Sequence, residues 1–172
     1  MSTNSLKADA ANTAANLAVR TTPWLVQGSI DFLKEYLTPE SHVLECGAGG
    51  STIWMLDTIG VARLVSLEHD EKWSMAVRSA VPDNSPLELR TCPLPYHHLL
   101  EDYEDEEFDF ILIDGRDRIL CIEACRRLIK PGGYLMLDNS ERERYLPADK
   151  LLEGWVKKSA VAKWNTAWWQ KP

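Results

Sequence analysis

Residues Phe108 to Ile113 form an almost unbroken apolar run that stops at Asp114. A run of that length without alternation reads as a strand covered on both faces, the position of a central strand in a parallel sheet. Parallel strands need crossover connections, and the rest of the chain supplies them. His42 to Cys46 is a short strand running into Gly47-Ala48-Gly49-Gly50. Ser51 to Ile59 continues as a helix, with Gly60 placed as its C-terminal cap. Arg63 to Glu68 is a second strand and Glu71 to Arg78 a helix; Leu87 to Thr91 is a third strand after the turn from Pro82 to Pro86. Beyond the central strand, Cys121, Ala124, Cys125 and Leu128 mark the buried stripe of another helix. Lys130-Pro131-Gly132-Gly133 ends it, and Tyr134 to Leu137 is a fifth strand that stops at Asp138-Asn139. A helix over Val26 to Leu37, closed by Thr38-Pro39, precedes the first strand.

Five strands alternating with helices predict right-handed βαβ crossovers, hence an α/β fold with a doubly wound, mainly parallel sheet and helices on both faces. Trp164 to Gln170 is predicted to add an antiparallel strand at the C-terminal edge. Trp155, Trp164, Trp168 and Trp169 all fall in the last 18 residues. They either pack that edge or give one wall of a substrate pocket. Residues 1–20 read as a loose or weakly helical tail ahead of one domain over 21–172. In sheets of this kind ligands bind beyond the carboxyl ends of the strands.

Charge narrows the partners. Of 26 acidic residues, seven lie between Glu101 and Asp109, leaving 19 acids against 19 Lys plus Arg elsewhere. The acidic run reads as a solvated loop or helix end, and the balanced remainder offers no bulk attraction to nucleic acid. No apolar stretch approaches the roughly 20 residues of a membrane span, and the N-terminus has no basic-then-apolar signal pattern. The four cysteines form no CxxC pair; Cys121 and Cys125 read as small core residues, and a reducing, cytoplasmic setting is expected. The partner class left is a small molecule, with oligomeric state open.

Glu45-Cys46-Gly47-Ala48-Gly49 carries the chemistry. Glycines let the backbone approach a ligand closely, and the helix start that follows directs free N–H groups at it. A plain strand–helix turn is the alternative. Glu68, 19 residues after Gly49 and at the end of the next strand, strengthens the ligand reading, because a carboxylate there can accept both hydroxyls of a ribose. A dinucleotide fingerprint requires a third glycine where Thr52 stands. Glu45 is placed to meet the ammonium of a methionine moiety.

With these features the sequence resembles the class I S-adenosylmethionine-dependent methyltransferases, whose Rossmann-like fold it implies. Their first motif matches Glu45 to Gly49, their second-strand acid Glu68, and their fourth-strand Asp Asp114; Leu128 to Gly133 looks like their turn before strand five. The resemblance covers about residues 41–140. It implies S-adenosylmethionine bound by Glu45, Gly47, Ala48, Gly49, Ser51, Thr52, Glu68, His69 and Asp114. Gly49-Gly50-Ser51-Thr52, Glu68-His69-Asp70, Asp114-Gly115-Arg116-Asp117-Arg118 and Asp138-Asn139-Ser140 are similar to a set of small methyltransferases and to the catechol-type O-methyltransferases.

In the catechol-type enzymes an Asp after strand four and an Asp-Asn pair after strand five hold a divalent ion. The matching residues are Asp114, Asp138 and Asn139, and hard oxygen ligands suit Mg2+ or another divalent cation. A turn closing the strand is the alternative for Asp138-Asn139. The Lys base of those enzymes has no counterpart; Arg116 and Arg118 stand in that neighbourhood and are poor bases. Candidate catalytic residues are therefore Asp114 and the neighbouring pair His97 and His98. Arg116, Arg118 and Arg142, with Arg144 nearby, are candidates for holding an acidic acceptor. The expected reaction is methylation of a small-molecule acceptor, on oxygen. A non-catalytic S-adenosylmethionine-binding domain and, behind it, an NAD-dependent oxidoreductase are the alternatives.

Overall fold

A computed structural model describes residues 19–172 of the chain. The expected loose segment over residues 1–20 falls almost entirely outside the described residues. Seven strands form one sheet in the order β3-β2-β1-β4-β5-β7-β6. They are β1 (His42–Cys46), β2 (Arg63–Glu68), β3 (Leu87–Thr91), β4 (Phe108–Ile113), β5 (Ile129–Asp138), β6 (Val156–Val161) and β7 (Asn165–Gln170). The first five run parallel, and β7 lies antiparallel to both β5 and β6.

Helix α1 (Gln27–Tyr36) precedes β1, and helices α2 (Gly50–Trp54), α3 (Glu71–Ser79), α4 (Arg118–Cys125) and α5 (Pro147–Leu151) occupy connections between strands. Two buried clusters divide the sheet's faces: Leu33, Trp54, Phe110, Met136 and Trp168 on one, Leu44, Ile111, Cys121, Leu135 and Trp169 on the other. The alternation of Phe110 with Ile111 and of Trp168 with Trp169 between the clusters is the period of two expected of strands buried on both sides. No described helix is long and apolar enough to cross a membrane.

Two elements differ from the sequence reading. β5 starts at Ile129, not Tyr134, because Lys130-Pro131-Gly132-Gly133 bulges within the strand: Phe108 pairs with Ile129, but Phe110 pairs with Tyr134. β6 carries no apolar alternation, and its Val156 and Val161 are exposed. It is nevertheless the edge strand, so β7 lies inside the sheet, with Thr166 to Trp169 buried.

Strand order reverses between β1 and β4, which places a crevice beyond their carboxyl ends. The register is informative. Cys46 pairs with both Leu67 and Ile113, and Ile113 pairs with Leu137. Glu68, Gly47, Asp114 and Asp138 therefore stand side by side, each one residue past a paired row on four neighbouring strands.

Candidate active site

The glycine loop is held from three sides. Gly47 has φ +104, and a Cβ there would lie 2.6 Å from the backbone of Gly115, so two strand-end loops touch where only glycine fits. The Trp73 indole N–H donates to the Ala48 carbonyl at 2.7 Å, fixing the loop from α3. Thr52 Oγ1 accepts from the Gly49 N–H at 2.8 Å and donates to Glu45 Oε2 at 2.5 Å, closing the first turn of α2. Gly49 differs: its backbone is extended, and a Cβ would meet only the Trp73 ring, at 3.9 Å. The protein leaves open the space that this glycine faces.

Glu45 lies beneath the loop and is fully buried, accepting hydrogen bonds from the hydroxyls of Ser51, Thr52 and Ser66. Burial pushes its carboxyl up to about 7; the three hydroxyls oppose the shift and the Glu68 carboxylate adds to it. Glu68 is nearly buried, and its Oε1 accepts the backbone N–H groups of His69 and Asp70 at 2.7 and 2.9 Å, with His69 Nδ1 also at 2.7 Å. No partner contacts its Oε2 among the described residues. A fixed carboxylate with one free oxygen, beside a loop that lacks a Cβ, fits the ribose and backbone-hugging part of a nucleoside ligand.

Next along the row is a cleft of about 240 Å³ lined by Trp24, Asp114, Asp138, Asn139, Arg142 and Trp164. The two indoles meet edge to face, 6.4 Å apart at 79°. Burial raises the Asp114 carboxyl to about 7; the Arg118 guanidinium opposes this, and Asp138 and Glu45 reinforce it. Burial also raises Asp138, whose Oδ1 accepts from the Thr166 hydroxyl at 2.6 Å.

A family model described as a methyltransferase domain matches residues 44–140, more than half of the chain. The chain belongs to this methyltransferase family. Among solved structures, an O-methyltransferase from Bacillus cereus in complex with SAH has 22% identity and a TM-score of 0.69, over 100% of this chain and 93% of that one. Cofactor-bound Rv0187 from MTB gives 21% and 0.67 over 95% and 88%. A methyltransferase-like protein from Silicibacter pomeroyi gives 20% and 0.66 over 89% and 90%. No curated protein sequence matches. Family, fold and site together make the chain a class I S-adenosylmethionine-dependent methyltransferase.

The methyltransferase brings some of the expected residues together and separates others. Glu45, Gly47, Ala48, Gly49, Ser51 and Thr52 form one loop with its buried anchor, and Glu68 and His69 flank it. Asp114, Asp138, Asn139 and Arg142 share the cleft. His97 and His98 lie instead on a 3-10 turn after β3, His98 exposed 3.9 Å from Cys92 Sγ, and neither lines the cleft. Arg116 is exposed on a separate surface depression with Arg144.

Arg118, expected at the mouth, is buried beneath it. Its Nε donates to the Gly115 carbonyl at 3.0 Å, Nη1 to the Asp138 carbonyl at 2.5 Å, and Nη2 to the Asp114 carbonyl and Oδ1 at 2.6 and 3.0 Å. It joins the ends of β4 and β5 and is not exposed to an acceptor. This arrangement also fits a divalent ion poorly, because a fixed guanidinium already stands against Asp114 at the Asp138 strand end.

Trp24, Trp73, Tyr96 and Thr166 were not anticipated as site residues. The buried Tyr96 hydroxyl accepts the Arg116 N–H at 2.8 Å and donates to the Arg116 carbonyl at 3.2 Å, so it fixes the loop after Asp114.

Proposed function

We propose that this methyltransferase transfers the methyl group of S-adenosylmethionine to a hydroxyl oxygen of a small acceptor seated against Trp24 and Trp164, with Asp114 as base. The observation that carries the proposal is the position of Asp114. It sits one strand from the glycine loop, within the indole-walled cleft, and its carboxyl is raised to about 7. A base is most effective when its pKa lies near the working pH.

Glu68 Oε2 and the loop at Gly47 to Gly49 are assigned to the cofactor, and the indoles orient a flat acceptor. The cofactor supplies a sulfonium-bound methyl. The acceptor's proton goes to Asp114, the oxygen–carbon bond forms as the carbon–sulfur bond breaks, and neutral S-adenosylhomocysteine departs. The row formed by Glu68, Asp114 and Asp138 favours the cationic cofactor over this neutral product. A formal net charge of −7 gives no bulk attraction to a nucleic-acid acceptor, and the cleft volume suits a metabolite-sized one.

The test is mass-spectrometric detection of methyl transfer to a panel of small hydroxylated aromatic and aliphatic compounds. Asp114→Asn should lower the rate by about 10²–10⁴-fold while S-adenosylhomocysteine still binds. Wild-type activity should rise as pH passes upward through about 7, where Asp114 loses its proton. Methylation confined to amines or to macromolecules would overturn the proposed acceptor. Cofactor binding with no transfer to any acceptor class would favour a non-catalytic binding domain.

A further inference from the structure

We propose that Arg118, buried beneath the cleft, takes the place that a divalent ion would hold beside Asp114 and Asp138. The inference rests on reading this cleft as the methyl-transfer site, and it is argued from how the guanidinium is held. All three guanidinium nitrogens are committed, to Gly115, to Asp138 and to Asp114. The side chain is 7% exposed, and the Tyr145 ring lies 5.2 Å beneath its guanidinium carbon. Hydrogen bonds and packing thus hold it in place at the carboxyl ends of β4 and β5.

The carboxylates are arranged to match. Asp114 directs Oδ1 at Arg118, and Asp138 directs Oδ1 at Thr166 on β7. Asn139 has φ +50, and its carbonyl accepts the Arg142 N–H at 3.1 Å, which is the geometry of a turn closing the strand. A dication reaching Asp114 and Asp138 would sit within a few ångströms of a guanidinium that is nearly buried and held by four hydrogen bonds. In a half-buried site, repulsion between the two would cancel much of what the carboxylates offer. Arg118 instead neutralises part of the pair permanently and leaves Asp114 Oδ2, which has no hydrogen bond or ion pair among the described residues, to the acceptor.

The experiment is a calorimetric titration of the full chain with Mn2+, with and without S-adenosylhomocysteine, alongside melting temperatures in EDTA. Wild type should give no saturable binding and the same melting temperature with or without EDTA. Arg118→Met should instead bind Mn2+ with a saturable isotherm, because one fixed positive charge at contact range is gone. Adding Asp138→Asn to that variant should abolish the gain. Arg118→Lys, which keeps the charge, should still bind none. Stoichiometric Mn2+ binding by wild type, lost in Asp114→Asn, would overturn the proposal, and that measurement needs no Arg118 variant to fold. A folded Arg118→Met that binds S-adenosylhomocysteine but no Mn2+ would overturn it too. Because S-adenosylhomocysteine binding is measured in the same cell, a failure of the active-site reading itself shows separately.

Discussion

Gly47 and Gly49 are two residues apart in one loop, and alanine at each should have opposite consequences. At Gly47 a Cβ would stand 2.6 Å from the Gly115 backbone, and φ is +104, where side chains are strained. The strained backbone costs about 1–3 kcal/mol and the forced separation of two loops about 1–3 more. Together they amount to about 2–6 kcal/mol, a large share of the roughly 5–15 kcal/mol that holds an ordinary domain folded. At Gly49 the backbone is extended, and the added methyl meets only the Trp73 ring, at 3.9 Å. Folding should be unharmed, or helped by about 0.4–1 kcal/mol through a stiffer unfolded chain. The methyl would instead occupy space open to ligand. Overpacking of about 1–3 kcal/mol there corresponds to about 5–150-fold weaker binding of S-adenosylhomocysteine. Thermal denaturation and calorimetry on both variants check this. Gly49→Ala should keep its melting temperature and lose affinity, whereas Gly47→Ala should melt lower by roughly 4 °C or more. A Gly49→Ala protein that binds S-adenosylhomocysteine like wild type would remove this loop from the cofactor site. A Gly47→Ala protein as stable as wild type would refute the packing argument.

Glu68→Gln keeps the side chain's size but halves its capacity to accept hydroxyls, so S-adenosylhomocysteine should bind about 1–3 kcal/mol more weakly by calorimetry, with little change in melting temperature. The native Glu45 carboxyl, raised from 4.5 to about 7, keeps its proton where the unfolded chain has lost it. Its contribution to stability is therefore present below about 4.5 and lost as pH rises to about 7, roughly 3 kcal/mol in all, and Glu45→Gln should flatten that slope in urea titrations. Thr166→Val removes the hydroxyl held by buried Asp138 and should cost about 1–3 kcal/mol in the same assay; an unchanged midpoint would show that water replaces it.

The parallel strands were legible because their signal is local. His42–Cys46, Arg63–Glu68, Leu87–Thr91 and Phe108–Ile113 occur where the sequence places them, each a short run with a punctuating glycine, acid or turn beyond it. Gly60 caps its helix with φ +74, as its position suggested, although the helix widens into a π turn over Met55–Ile59 first. β6 left no such mark. Val-Lys-Lys-Ser-Ala-Val has no buried face to pattern, and its pairing comes from β7, whose own burial needs a neighbour on each side. The bulge at Lys130 to Gly133 was hidden for a related reason. Pro-Gly-Gly marks a break, but whether the chain leaves the sheet or only bulges is decided by β4 alongside.

The arginines show where reading the site from sequence stops. Arg116, Arg118 and Arg142 are equivalent as residue types near strand ends, yet Arg116 and Arg142 are exposed, only Arg142 lines the cleft, and Arg118 is buried. What separates Arg116 from Arg118 is backbone. Asp117 adopts φ +48 before α4 begins, and the chain reverses so that the next side chain turns under the sheet's end. Once there, a guanidinium with five N–H groups can satisfy the carbonyls of Gly115, Asp114 and Asp138 together, which a lysine ammonium with three donors cannot do in one plane. The acids were readable because each ends its own strand. Their counter-charge was not, because it depends on two strands, a left-handed residue and the register that sets Asp114 level with Asp138. The same logic covers Trp24 and Trp164, which come from opposite ends of the described chain and become walls of one cleft only when β7 lies beside β5.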